Sequence, residues 1–254
     1  MRLNLGDNSV RRDSTRLFRM DPLESRVLLS SYFVSPTGSD LAAGTEAAPW
    51  RTLQKAADQA RPGDTITVRA GQYVGFDLRE GGTEGKPIVF RAEQGAQITR
   101  PNARTEDGIN LEGASFIVID GFTVSGMPRA GIRSVTNTNV VIRNNIVDRN
   151  QLWGVLAGFS HDLLVEKNVA TRQVRQHGIY VGNSSKNPVI RDNVIWGNNQ
   201  CGIHLNGDIS MGGDGIITGA VVERNIIHGN GKAGGSGINA DGVSKSQFVN
   251  NLLY

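Results

Sequence analysis

The chain is poor in most features that assign a protein to a class at a glance. Among 254 residues there is one cysteine, Cys201, so no internal disulfide can staple the fold and stability must come from a packed core. Charge of one sign is also scarce. The 27 Lys and Arg against 24 Asp and Glu leave a formal net charge of +3, too small a surplus to mark a nucleic-acid-binding surface. No apolar run approaches the ~20 residues that cross a bilayer as a helix, and no membrane-spanning segment is expected. Prolines number 8, and no G-X-Y period accompanies the 32 glycines, which excludes a collagen. What is abundant is glycine itself, well above its usual ~7% share. With 38% hydrophobic and 20% charged residues, this describes one large folded domain dense in turns.

Residues 1–31 form a separate zone in which Arg2, Arg11, Arg12, Arg16, Arg19 and Arg26 are interspersed with acids and no hydrophobic period is sustained. They are expected to be a disordered tail, with the folded domain spanning 32–254. The stretch Met20 to Ser30 resembles the LEPR-XLL signature found near the N-terminus of bacterial surface and exported proteins, with Met-Asp-Pro in place of Leu-Glu-Pro. An ordinary secretory signal would need an uninterrupted apolar stretch of about 7–15 residues, which is missing. Export to the cell surface or beyond is what the resemblance implies.

Helical periodicity occurs once. Leu53, Ala56, Ala57 and Ala60 recur on one helical face within Pro49–Ala60, and Pro62 and Gly63 end the run. Everything after Gly63 consists of short β-rich runs, and these repeat. The apolar windows Ile66–Val68, Ile88–Phe90, Ile117–Ile119, Val140–Ile142, Leu163–Val165, Val189–Ile190, Val221–Val222 and Phe248–Val249 make eight units. Glycine followed by Ile or Val recurs at Gly108, Gly131, Gly154, Gly178, Gly202 and Gly237, and asparagine at Asn145, Asn168, Asn193, Asn225 and Asn251, with Gly121 taken as the earlier equivalent. A period near two dozen residues describes a coil of about three short strands and three turns. One such coil cannot bury its own core, but stacked coils can, each strand pairing in parallel at the ~4.8 Å sheet spacing.

The run Tyr32–Asp40, the segment Pro49–Ala56, the run Pro62–Tyr73 and the Ile119–Phe122 coil closely resemble the right-handed parallel β-helix proteins of the pectin-lyase-like superfamily. The expected fold is therefore all-β, a right-handed parallel β-helix of about eight coils, with one N-terminal capping α-helix. That superfamily hosts lyases, epimerases, glycoside hydrolases, adhesins and plain scaffolds, so the fold alone does not give the reaction.

Side chains alternate between the faces of a strand, so an inward Ile after each glycine makes the next residue outward. The outward column reads Arg133, Leu156, Tyr180, His204, Asn239, and two residues on it reads Val135, Gly158, Gly182, Asn206, Asp241. Polarity rises toward the C-terminal coils. There the chain also carries an insertion directly after His204, Asn206 to Gly215, and insertions in repeat folds commonly build the binding face. His204 and Tyr180 are the candidate catalytic pair, since an imidazole near its neutral pKa exchanges protons and a tyrosine hydroxyl can assist. Arg133, His177, Asn206 and Asn239 are candidate substrate-binding residues, with a packed, hydrogen-bonded role the competing reading for His177. Asp208, Asp214 and Asp241, joined by Asn206 and Asn239, have the oxygen chemistry that suits Ca²⁺, although Asp and Gly in such a loop also serve its turns. Nothing asks for an organic cofactor. Cys201, Trp153 and Trp196 are assigned to structure.

The resemblance implies β-elimination on a uronate polymer, making an acidic polysaccharide the expected partner. Two departures stand against its lysine-dependent form: the outward columns contain no Lys, and Arg133 lies coils away from Asn239 and Asp241. A uronate epimerase would use the same His204 and Tyr180, and a glycoside hydrolase would need aspartates clustered on the strands, where only Asp241 qualifies. A non-catalytic glycan-binding or structural surface β-helix remains the alternative. The last residues, Asn250 to Tyr254, stop inside a repeat without a polar cap, so further coils or another chain are expected over that end.

Overall fold

The computed structural model describes residues 30–254. The tail expected over 1–31, and with it the signature at 20–30, lies outside the described residues but for Ser30 and Ser31, where the first strand (Ser31–Val34) already begins. From there the chain winds as a right-handed parallel β-helix of about eight turns. Its three long sheets contain nine, seven and eight strands, every pairing in them parallel.

The eight apolar windows fall in register in the nine-stranded sheet. Ile66, Phe90, Ile119, Ile142, Val165, Ile190, Val222 and Phe248 stack directly above one another. All but Phe248 are completely buried, and each such side chain contributes roughly 1.5–3 kcal/mol by leaving water. The Gly-Ile and Gly-Val motifs open the seven-stranded sheet, and here the reason for glycine is steric. A Cβ on Gly131, Gly154, Gly178 or Gly202 would lie 2.5–2.8 Å from the carbonyl oxygen of the glycine one coil further on. The glycines stand in single file because that carbonyl fills the space a side chain would need.

The asparagines form an internal ladder. Asn145, Asn168, Asn193 and Asn225 are buried, and each accepts on Oδ1 the backbone N–H of the equivalent residue one coil back while its Nδ2 donates to a strand carbonyl. The left-handed backbone needed at this corner lies one residue before the asparagine, at Asn144, Lys167, Asp192, Arg224 and Asn250. Gly121, with φ 87°, therefore corresponds to Asn144, and Phe122 stands where the later coils carry the ladder asparagine.

The helix spans Leu53–Gln59, shorter than the 49–60 read from the sequence. Thr52 is its N-cap and accepts from Lys55 N, while Asp40 holds Thr52 in place through its backbone N–H and hydroxyl. Trp50 instead forms a parallel bridge with Val34, and its ring stacks on Tyr32 at 4.7 Å. The helix meets the first strand of the seven-stranded sheet (Phe76–Leu78) through Gln54, whose amide both accepts from Asp77 N and donates to Asp77 O. Those are the two bonds another strand would have made, so the exposed sheet edge is closed by one side chain.

Candidate functional site on the seven-stranded sheet

The outward face of the seven-stranded sheet carries one continuous column: Asp77, Asn110, Arg133, Leu156, Tyr180, His204 and Asn239, each paired with the next in register. Beside it run Glu112, Val135, Gly158, Gly182, Asn206 and Asp241. The structure thus brings Tyr180, His204, Asn206, Asn239 and Asp241 into one patch. It places Arg133 four coils away from Asn239, roughly 19 Å at the sheet spacing.

At the N-terminal end of the column the charges are mutually satisfied. Asp77 is buried and accepts from Asn110 Nδ2, Arg79 Nε (3.0 Å) and Arg104 Nη1 (3.1 Å). Burial alone would raise its pKa, but these donors outweigh it and hold the carboxyl below its usual range. Arg133 donates to Asn110 Oδ1 (2.7 Å) and Glu112 Oε2 (3.1 Å), so its guanidinium is anchored as well as available to a ligand. Arg129 is fixed by a two-pronged pair with the fully buried Asp107. None of Asp77, Asn110, Glu112 or Asp107 was singled out from the sequence. They sit in the earlier coils, where the spacing of motifs signals strands but not which carboxylates face one another.

A groove of about 500 Å³ continues from these arginines, lined by Arg129, Arg133, Trp153, Leu156 and Tyr180 and walled by Met211 of the insertion. This volume suits a few sugar rings. Trp153, expected to be purely structural, lies on the groove wall with its ring 5.8 Å from that of Tyr180. Asn206 Nδ2 donates to the Tyr180 hydroxyl oxygen at 2.9 Å, orienting the phenol. The Tyr180 ring meets the edge of His204 at 5.4 Å.

Behind this surface lies His177, 5% exposed and stacked on Tyr180 at 5.7 Å. Its Nδ1 accepts from the backbone N–H of Cys201, and its Nε2 faces His204 Nδ1 at 3.2 Å. Burial, and secondarily the neighbouring His204, push its pKa down to about 4. His204 Nε2 in turn lies 3.4 Å from Asp241 Oδ2 and 3.0 Å from Asn239 Nδ2. His177 is thus the packed, hydrogen-bonded histidine of the two readings left open by the sequence, and it contacts the candidate catalytic residue.

The three aspartates taken as calcium ligands do not converge. Asp208 caps the short 3₁₀ turn Ile209–Met211 by accepting from Ser210 N and Oγ, bonds that hold its pKa below the usual value. Asp214 accepts from Ile216 N, and Asp241 from Asn239. Among the described residues the one cluster of three metal-capable side chains is His177, Cys201 and His204. The carboxylates offer a hard cation no common ligand set in this arrangement, and no step of the chemistry below passes through one.

A family model described as the Pel9A-like, right handed beta helix region matches residues 32–162. The chain belongs to that family. Its matched part contains Asp77, Asn110, Arg133 and Trp153, whereas His177, Tyr180 and His204 lie beyond it. Over 166 residues the chain is 31% identical to the uncharacterized protein YwoF of Bacillus subtilis, an alignment covering 65% of this chain and 28% of that protein. Over 75 residues it is 43% identical to pectate lyase PEL9 of Emericella nidulans, covering 28% of this chain and 18% of the other. The chain therefore spans less than a third of the length of the curated relatives it matches. Among solved structures, pectate lyase Pel9A superposes with a TM-score of 0.68 at 17% identity, over 80% of this chain and 54% of that one. An alginate lyase from a Paenibacillus species gives 0.65 at 22% identity, over 80% and 73%. At these identities the likeness is one of fold.

Proposed function

We propose that this chain is an exported β-helix protein that binds a uronate-containing polysaccharide along the seven-stranded sheet and cleaves it by β-elimination. One observation carries the reading: a groove with arginines at one end and the tilted rings of Trp153 and Tyr180 along its wall ends at Tyr180, next to which His204 stands in register. Arginine guanidinium groups suit the carboxylates of an acidic glycan, and the rings of Trp153 and Tyr180 offer flat apolar faces to sugars. In the reaction a base takes the proton α to the uronate carboxylate, a carbon–carbon double bond forms, and the bond to the glycosidic oxygen breaks with its electron pair leaving on that oxygen, which is then protonated. Tyr180 and His204 are the groups at this position able to exchange protons or to stabilise the developing enolate. The relatives named as pectate and alginate lyases support this class, and the signature at 20–30 supports a surface or extracellular location.

A second reading is favoured by the anchoring of Arg133 on Asn110 and Glu112 and by the lack of lysine in the outward columns: a glycan-binding β-helix without turnover. Incubation with pectate, alginate and glycosaminoglycans, with Ca²⁺ or EDTA, separates the two through the ultraviolet absorbance of unsaturated uronate ends. The lyase reading expects absorbance to grow and to fall by ~10²–10⁴-fold in His204→Ala or Tyr180→Phe. Binding without absorbance supports the glycan-binding protein, altered uronate composition without chain scission an epimerase, and neither binding nor turnover refutes both polysaccharide readings.

A further inference from the structure

The cluster His177, Cys201 and His204, whose ligand atoms lie within 4.8 Å of one another, could be taken for a soft metal site of two imidazoles and a thiolate. Its hydrogen bonds oppose that. His177 Nδ1 lies 3.1 Å from the backbone nitrogen of Cys201, and a backbone N–H only donates. Nδ1 must therefore present its lone pair there, and the neutral ring carries its proton on Nε2, the nitrogen a metal would need free. That Nε2–H points to His204 Nδ1 at 3.2 Å, which must then be an acceptor, so neutral His204 carries its own proton on Nε2. There it faces Asp241 Oδ2 at 3.4 Å, an oxygen that also accepts from Asn239 Nδ2 at 2.8 Å. The 3.0 Å approach of Asn239 Nδ2 to His204 Nε2 is then that of two donors converging on one carboxylate oxygen. All the bonds run one way, from the Cys201 amide through both rings to Asp241.

We propose that His177 is a positioning residue that locks His204 in its neutral, Nε2-protonated form, so that His204 acts as a hydrogen-bond donor to a uronate carboxylate and not as a base. A second proton on His204 Nδ1 would collide with the His177 Nε2–H, and a lone pair on His204 Nε2 is denied by the same wiring. Burial keeps His177 itself neutral, and the other side chains against the pair, Tyr180 and Cys201, supply no positive charge. The exposed Asp241 carboxylate occupies the place an incoming carboxylate would take. Proton exchange then falls to Tyr180. A neutral imidazole that donates without transferring its proton stabilises a developing enolate at no cost in protonation. The role in turnover rests on the function proposed above; the tautomer does not.

The test is long-range ¹H–¹⁵N correlation spectroscopy of the full chain with ¹⁵N-labelled histidine, which tells protonated from bare ring nitrogens. In the wild type at pH 7 both His177 and His204 should show bare Nδ1 and protonated Nε2. His177→Phe should release His204 into a mixture of tautomers, and His177→Gln, whose amide N–H replaces the lost donor, should restore the single form. His204 protonated on Nδ1 in the wild type, or unaffected by His177→Phe in a folded variant, overturns the proposal. If His177→Phe does not fold, the wild-type spectrum and His177→Gln decide. Zinc binding in a one-to-one ratio with loss of the His177 Nε2–H signal would establish a metal site instead. Titration with oligogalacturonate should shift the His204 Nε2–H resonance, and binding without that shift refutes the donor role. Failure of every polymer assay with the tautomers as stated would sink the lyase reading and leave the lock in place.

Discussion

Replacing Asn193 by alanine removes a fully enclosed rung of the asparagine ladder and tests whether that ladder holds the coils together. Asn193 is completely buried. Its Nδ2 donates to Val165 O and to Asn225 Oδ1, both at 2.9 Å, and its Oδ1 accepts from Asn168 N at 2.9 Å and from Asn168 Nδ2 at 3.1 Å. After truncation Asn225 Oδ1 keeps the backbone N–H of residue 193, and Asn168 Nδ2 keeps Ile142 O. The Asn168 N–H is then left without its partner inside the cylinder, while the Val165 carbonyl keeps the sheet bond from the Arg191 N–H. At roughly 1–3 kcal/mol for a buried group left unsatisfied, the loss comes to about 1–3 kcal/mol, a sizeable share of the ~5–15 kcal/mol that stabilises a typical domain. Urea unfolding followed by circular dichroism should show the midpoint fall with the slope unchanged. Asn251→Ala provides the control. Asn251 makes three of the same four bonds, to Asn225 N, Asn225 Nδ2 and Val222 O, but is only partly buried. Water can replace its bonds, and the cost should be about 0.5–1.5 kcal/mol. Equal losses at the two positions, or less than about 1 kcal/mol at Asn193, would refute the ladder as a source of stability.

The depressed pKa of His177 predicts a pH dependence of folding. Above pH 6.5 the ring is neutral in both states; as pH falls toward 4 the unfolded chain takes up a proton that the native state refuses, so stability falls by up to ~3 kcal/mol across that window. His177→Gln should flatten the slope between pH 6.5 and 4, and an unchanged slope in parallel unfolding curves would contradict the assignment. Gly178→Ala would set a methyl group 2.7 Å from Ile195 Cγ2 and 2.8 Å from Gly202 O. It should cost about 1–3 kcal/mol and lower the melting temperature by several degrees; an unaltered melting curve would show that the glycine file is not sterically required.

The coil was legible because its determinants are periodic. Apolar windows, glycines and asparagines recur in fixed order, and each corresponds to one physical element: a core-facing strand, a carbonyl-filled gap and a corner hydrogen bond. The same periodicity put Tyr180, His204, Asn239 and Asp241 on one face, because parallel strands in register bring equivalent residues together. It aligned Gly121 with Asn145 instead of Asn144 because the two asparagines look alike in sequence, and only the backbone tells which one turns. It overestimated the helix because Pro49 and Trp50 satisfy the helical pattern but are claimed by the pairing of Trp50 with Val34. The wiring of His177 was out of reach. Nothing in the spacing of His177, Cys201 and His204 says which ring nitrogen faces which donor. The aspartates of the insertion show the opposite error: Asp208 and Asp214 are close in sequence, but each carboxylate turns to a nearby backbone N–H of its own loop.

Because every glycine in the file receives the carbonyl of an identical neighbour, the junction between one coil and the next is nearly the same all along the stack. Adding or deleting a single residue within a coil would throw that junction out of step, but duplicating an entire coil would recreate it. Groove length is thus an adjustable property of this architecture: a spare turn placed between Arg133 and Tyr180 would move the anchoring end away from the reactive end by one sheet spacing, about 4.8 Å, while leaving both ends intact. Such a chain would measure out a longer stretch of polymer with the same chemical groups.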